Sequence, residues 1–121
     1  MPVFLLHHCE SLFNENPELY CHVKNCALSR TGTVQASSLY GQYDVIYLSP
    51  LRRAIDTFMM SHIRGKCVEI VEDLREVKTN PCDFREDEKI VLETDVEIGA
   101  RVRRVANWMQ RLDASKRYLI V

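Results

Sequence analysis

The chain has 121 residues, of which 46% are hydrophobic and 27% charged, and its formal net charge is −1. This length predicts a single domain over residues 1–121, and the composition excludes an intrinsically disordered chain. The small net charge favours neither nucleic acid nor an anionic membrane as a partner, and no apolar run approaches the roughly 20 residues of a membrane span.

The cysteines indicate a reducing compartment. They are five in number and form no Cys-x-x-Cys pair, which argues against a disulfide framework and a zinc site. The N-terminus lacks a basic region and a small-residue cleavage site, so a cytoplasmic location is predicted. A metal ion bound by His7 and Cys9 is the competing interpretation, although a fourth ligand is not evident.

The first predicted element is a buried strand over residues 3–6. Its apolar run leads directly into His7, His8 and Cys9, with Asn14 a few residues later. In open α/β sheets, ligands bind at the carboxyl ends of the strands. This stretch therefore predicts a strand whose end opens into a site.

The later elements alternate between helices and strands. Ser29 is a good N-cap for a short helix that stops at Gly41, and Thr94 with Glu97 has capping-box spacing at the start of a longer one. Such alternation predicts a layered α/β domain with a largely parallel sheet. The other predicted strands span 43–48, 68–71 and 118–121, and the predicted loops span 14–25 and 72–88. The residues of the last helix that are predicted to face inward are Ile98, Val102, Val105, Met109 and Leu112.

Another helix is predicted to start at Ser49-Pro50 and to end before Gly65. Its first turn carries Arg52 and Arg53, and cations are unfavourable there unless an anion compensates. Together with the unpaired N–H groups of the helix N-terminus, these arginines would form a binding site for phosphate. The alternative is that both arginines are simply solvated. The buried stripe of this helix would consist of Leu51, Ala54, Ile55, Phe58, Met59 and Ile63.

Four blocks of sequence carry a family resemblance. They are Leu6-His7-His8-Cys9-Glu10-Ser11 with Asn14, Leu28-Ser29-x-x-Gly32-x-x-Gln35-Ala36, Tyr47-Leu48-Ser49-Pro50-Leu51-x-Arg53-Ala54-x-x-Thr57, and Leu74-Arg75-Glu76. In order and spacing they resemble the histidine phosphatase superfamily, the phosphoglycerate mutase-like phosphatases, over residues 3–121. The resemblance implies a three-layer α/β sandwich with a mostly parallel sheet, incomplete at its C-terminus.

The resemblance also implies a phosphoric-monoester hydrolase that acts through a phosphohistidine. His8 would be the nucleophile, Arg53 and Asn14 would bind the phosphoryl group, and Glu76 would be the acid and base, with Glu72 and Asp73 as nearby alternatives. No metal or other cofactor is required. The implied partners are a phosphorylated small molecule or a phosphoprotein.

Three departures from the family pattern bear on activity. His7 stands where the family has an arginine, and this lost contact should cost about two or three orders of magnitude in rate unless bound phosphate keeps His7 protonated. Cys9 stands where the family has a glycine, and the sequence ends one or two residues before the position of the family's Ser/Thr-His-Gly motif, so that motif is expected to be missing. Weak or absent turnover is expected, with a protein partner covering the incomplete sheet. The alternative is a non-catalytic interaction or phosphate-binding module.

Overall fold

The computed structural model describes residues 3–121 and has the predicted α/β architecture. All pairings in its four-stranded sheet are parallel, and the strand order is β1-β4-β2-β3. The strands are β1 (Val3–Leu5), β2 (Tyr40–Leu48), β3 (His62–Ile70) and β4 (Tyr118–Ile120), and the helices are α1 (Leu12–Glu15), α2 (Pro17–Tyr20), α3 (Arg30–Ser37), α4 (Arg52–Met59) and α5 (Asp95–Gln110).

Helices pack on both faces of the sheet. On one face, Ile55 and Phe58 of α4 contact a buried cluster formed by Ile46, Leu48, Ile63 and Leu119. On the other face, Tyr47 meets Trp108 of α5 edge-on, with ring centroids 4.6 Å apart. Because alternate residues of a strand point to opposite faces, these contacts confirm a three-layer arrangement.

Strand β4 separates the two halves of the sheet that carry the predicted site. Leu119 is aligned with Phe4 of β1 on one side and with Ile46 of β2 on the other. Since every strand runs in the same direction, the segments that follow β1, β2 and β4 all emerge at one edge of the sheet. The segments that contain His8 and Arg53 therefore face each other across the end of β4.

The predicted helix from Ser49 to Gly65 is wrong at both ends. Its N-cap is Leu51, and the helix stops at Met59, after which β3 starts at His62. Strand β3 pairs with β2 along nearly its whole length, so pairing between strands overrides the apolar helical spacing that continues to Ile63. Ile63 is buried as expected, but in the sheet.

Other boundaries also differ from the predictions. The predicted loop over 14–25 includes the end of α1 and all of α2, and α3 ends at Ser37 because β2 already begins at Tyr40. The capping box of Thr94 and Glu97 is present as predicted. Of the five residues predicted to face inward, Val102 is exposed and the other four are half-buried, and Leu112 lies beyond the end of α5 at Gln110.

A buried arginine organises the predicted long loop. The Arg75 guanidinium donates to both carboxylate oxygens of Glu88, at 2.8 and 2.9 Å, and to the carbonyl oxygen of Asp83 at 2.7 Å. It also donates to Glu72 at 3.0 Å. These bonds fix the segment between β3 and α5, which supplies part of the site.

Because of the Arg75–Glu88 pair, we expect the stability of the fold to decrease as the pH falls into the acid range. Hydrogen bonds from Arg75 lower the pKa of Glu88 from 4.5 to about 2. The pair therefore stabilises the fold fully above about pH 4.5, and this contribution, roughly 2–3 kcal/mol, is lost as the pH falls to about 2. We expect Glu88→Gln to lower the free energy of unfolding at neutral pH and to flatten its decline over this range. Urea titrations between pH 2 and pH 7 measure both effects, and an unchanged acid slope would contradict them.

No helix in the described part of the chain has the length and apolar content to cross a membrane. Among residues 3–121, no group of three or more His, Cys, Asp or Glu side chains is placed to hold a metal ion.

Candidate active site

Two adjoining cavities lie at the carboxyl edge of the sheet. Their volumes are about 140 and 230 Å³. His7, His8, Arg53 and Glu76 line both cavities. The structure therefore brings these four predicted site residues together around one space, although they come from three separate segments of the chain.

Within residues 3–121, His8 forms a hydrogen bond through only one of its two ring nitrogens. Its Nδ1 lies 2.7 Å from the carbonyl oxygen of Cys9. A carbonyl can only accept, so the neutral imidazole carries its proton on Nδ1 and has a lone pair on Nε2. Burial, and to a smaller extent the positive charge of Arg53, lower the pKa of His8 below its ordinary value. The imidazole is consequently neutral at neutral pH and able to act as a nucleophile.

Thr57 connects the His8 segment with the Arg53 helix. Its hydroxyl accepts a hydrogen bond from the Cys9 N–H at 2.9 Å and donates to the Arg53 carbonyl at 2.7 Å. On the other side of the His8 segment, a Cβ at Gly32 would lie 1.9 Å from the Glu10 carbonyl oxygen. Only glycine permits this approach, so Thr57 and Gly32 together fix the backbone beside His8.

Arg53 is buried and is held from the loop between β3 and α5. It is 5% exposed, and its Nη1 donates to the carbonyl oxygen of Cys82 at 2.9 Å. Its Nη2 donates to Oδ1 of Asp83, also at 2.9 Å. The Arg52 side chain is instead exposed and pairs with Asp56 at 3.4 Å. Of the two arginines at the start of α4, Arg53 is therefore the one directed to the cavity.

The N-terminus of α4 offers fewer unpaired N–H groups to an anion than the sequence predicts. The backbone N–H of Arg52 already donates to Oδ1 of Asn25 at 2.8 Å, and Ser49 accepts from Leu51 without capping the helix. The positive charge available to an anion at this point thus comes mainly from the Arg53 side chain.

Glu76 and His7 lie at the mouth of the site. Glu76 is exposed, and its Oε2 is 3.9 Å from Nη2 of Arg53. The His7 ring is tilted against that of His8, with centroids 4.3 Å apart, and its Nδ1 donates to the His8 carbonyl at 2.8 Å. Both side chains are exposed and can therefore reach a ligand.

Asn14 lines the larger cavity, but its side chain also caps α1. Its Oδ1 accepts from the backbone N–H and the hydroxyl of Ser11, at 3.0 and 2.9 Å. Since the oxygen is occupied, only its NH₂ group could donate to a phosphate.

Sequence reasoning missed Asp83, Thr57 as a connecting residue, and the Cys82 carbonyl. Thr57 lies four residues after Arg53, a spacing that places two residues on one face of a helix and could have revealed their contact. Asp83 is one of many acidic residues between 72 and 97, and no local pattern distinguishes it from the others.

Solved structures share this fold. A proposed alpha-ribazole-5'-P phosphatase from Escherichia coli superposes with a TM-score of 0.70 at 18% identity, and the match covers 100% of this chain and 72% of that one. A phosphoserine phosphatase from Entamoeba histolytica, in complex with 3-phosphoglyceric acid, gives a TM-score of 0.62 at 18% identity, with 98% and 72% covered. A protein from Thermus thermophilus gives 0.67 at 20% identity, with 99% and 76% covered. No curated protein sequence matches this chain significantly.

A family model identifies the lineage. The model of the histidine phosphatase superfamily, branch 1, matches residues 3–95. That range includes β1 to β3 and every residue that lines the larger cavity. This match supports a phosphatase-type function. With its parallel sheet and its histidine and arginine at the carboxyl edge, the chain belongs to the histidine phosphatase superfamily.

Proposed function

We propose that this chain hydrolyses phosphoric monoesters through a phosphohistidine formed on His8. The observation that carries the proposal is the free Nε2 of His8 in a cavity that it shares with the Arg53 guanidinium. A neutral imidazole nitrogen is a competent nucleophile, and an arginine offsets the negative charge that otherwise repels it from a phosphate.

Two displacements would make up the reaction. His8 Nε2 forms a bond to phosphorus while the ester P–O bond breaks, and the leaving oxygen takes a proton from Glu76. Water then attacks the phosphohistidine, Glu76 takes the proton of that water, and the N–P bond breaks to restore His8. Arg53 binds phosphoryl oxygens throughout, and the NH₂ group of Asn14 can donate to another.

Trapping of the intermediate tests this proposal. The protein is mixed with a ³²P-labelled phosphomonoester, quenched in alkali, and examined by peptide mass spectrometry. We expect an acid-labile phosphoryl group on the peptide that contains His8. A protein that releases phosphate without such a group, or that carries it on another residue, would contradict the mechanism.

A second candidate function is a non-catalytic phosphate-binding module. It is favoured by His7, because a histidine in place of the family's arginine removes a contact that turnover needs, while Arg53 still lines the cavity and can bind an anion. This alternative predicts that inorganic phosphate binds in a manner that depends on Arg53, without any phosphoryl adduct.

If the chain hydrolyses phosphomonoesters, His7 should limit the rate, because a histidine stands where the family has a permanently charged arginine. We expect His7→Arg to increase phosphomonoester hydrolysis about tenfold to a hundredfold, since an arginine adds a charge-assisted, bidentate contact to the phosphoryl group. The measurement is the release of p-nitrophenol from p-nitrophenyl phosphate at pH 7. His22→Arg is the matched control, because His22 is an exposed histidine outside the lining of both cavities. Equal effects of the two substitutions would exclude a specific role for position 7.

A further inference from the structure

We propose that Asp83 is a positioning residue that orients the Arg53 guanidinium toward the phosphoryl group, an inference that rests on the proposed function. Asp83 belongs to none of the four sequence blocks that carry the family resemblance. It ends a short 3-10 helix, Pro81–Asp83, in the segment between β3 and α5.

Asp83 is buried, with 3% of its surface exposed, and both oxygens of its carboxylate accept hydrogen bonds. Its Oδ1 accepts from Nη2 of Arg53 at 2.9 Å, while its Oδ2 accepts from the backbone N–H groups of Thr79 and Asn80, at 3.1 and 2.9 Å, and from the Thr79 hydroxyl at 3.2 Å. A carboxylate bound on both oxygens cannot rotate freely, so it defines where its arginine partner lies.

Asp83 and its neighbour contact opposite ends of the guanidinium. The Cys82 carbonyl accepts from Nη1 and the Asp83 carboxylate accepts from Nη2. Two acceptors on different nitrogens fix the plane of the group, and the remaining N–H groups are then presented to the cavity in a constant direction. A guanidinium binds a phosphate best when two of its N–H groups donate to two phosphate oxygens at once, which requires a fixed orientation.

Charge supports the same role. Although burial alone would raise the pKa of Asp83, the N–H groups of Asn80 and Thr79 and the Arg53 guanidinium hold it below its ordinary value. The carboxylate therefore stays ionised and keeps Arg53 in place before a ligand arrives, which reduces the ordering that binding must accomplish.

The test compares Asp83→Asn with Glu88→Gln. Glu88 also pairs a carboxylate with a buried guanidinium in the same segment, but it lines neither cavity of the site. Both substitutions therefore remove a carboxylate partner of a buried arginine, but only Asp83→Asn removes a direct contact of Arg53. The probes are inorganic phosphate affinity by calorimetry and the Arg53 side-chain signals in ¹⁵N NMR, both on the full chain.

We expect Asp83→Asn to weaken phosphate binding about tenfold and to broaden or average the Arg53 Nη signals, and Asp83→Glu to restore part of both. Glu88→Gln should change the phosphate affinity less than twofold and leave the Arg53 signals as they are. Unchanged Arg53 signals in Asp83→Asn, or equal losses of affinity in the two variants, would overturn the proposal. If the wild-type chain forms no phosphohistidine, the proposed function fails, whereas the NMR comparison still decides whether Asp83 orients Arg53.

Discussion

Replacement of His8 by asparagine should lower phosphomonoester hydrolysis by about three orders of magnitude or more. Asparagine can keep the hydrogen bond to the Cys9 carbonyl through its NH₂ group, but it has no nitrogen lone pair to attack phosphorus. The covalent route is then lost, while binding by Arg53 is kept. The measurements are the initial rate with p-nitrophenyl phosphate and the yield of labelled adduct in a single turnover.

His62→Asn is the matched control for this substitution. His62 is an exposed histidine at the start of β3, at the opposite edge of the sheet from His8. We expect the His62 variant to retain the wild-type rate and adduct yield. A His8 variant that still forms the adduct would show that another residue is the nucleophile.

Replacement of Arg53 by methionine should destabilise the fold by about 3–5 kcal/mol, because it leaves the buried Asp83 carboxylate without its cationic partner. A loss of this size is a large fraction of the roughly 5–15 kcal/mol that holds a domain together. Phosphate binding should disappear with it. Urea denaturation followed by circular dichroism measures the first effect, and calorimetry with inorganic phosphate, below the unfolding transition, measures the second.

Arg104→Met provides the comparison for a surface ion pair. Arg104 donates to both oxygens of Asp73 at 2.9 Å, but its side chain is 58% exposed. Exposed pairs contribute little to stability, so this variant should stay close to the wild type. If Arg53→Met lowered the free energy of unfolding no more than Arg104→Met, the Arg53–Asp83 pair would not stabilise the fold more than an exposed ion pair does.

Local sequence patterns predict much of this fold. They fail where the pairing of strands that are distant in the sequence determines the structure. The capping box of Thr94 and Glu97 starts α5 as predicted, because a cap depends only on neighbouring residues. At 60–64 the same kind of reasoning predicts helix, since the apolar spacing of α4 continues to Ile63. The chain instead forms β3, whose partners in β2 lie about 20 residues earlier, and no local pattern records that pairing.

The site shows the same division. The strand ends indicated the segments of His8 and of Arg52 and Arg53, because parallel strands bring their carboxyl ends to one edge. The family resemblance then selected His8 and Arg53. Asp83 could not be found, because its contact with Arg53 joins residues that are 30 positions apart in the sequence. The loop that carries Asp83 has no regular period from which its direction could be read.

The insertion of β4 between β1 and β2 has a kinetic consequence. Residues 3–5 obtain their strand partner only when residues 118–120 dock, so the first strand waits for a contact of very high sequence separation. Closure of so long a loop is slow compared with the formation of local helices and turns. The Arg53 half of the cavity can therefore assemble early in refolding, and competence to bind a ligand should appear in a late phase, together with protection of the β1 amides from hydrogen exchange.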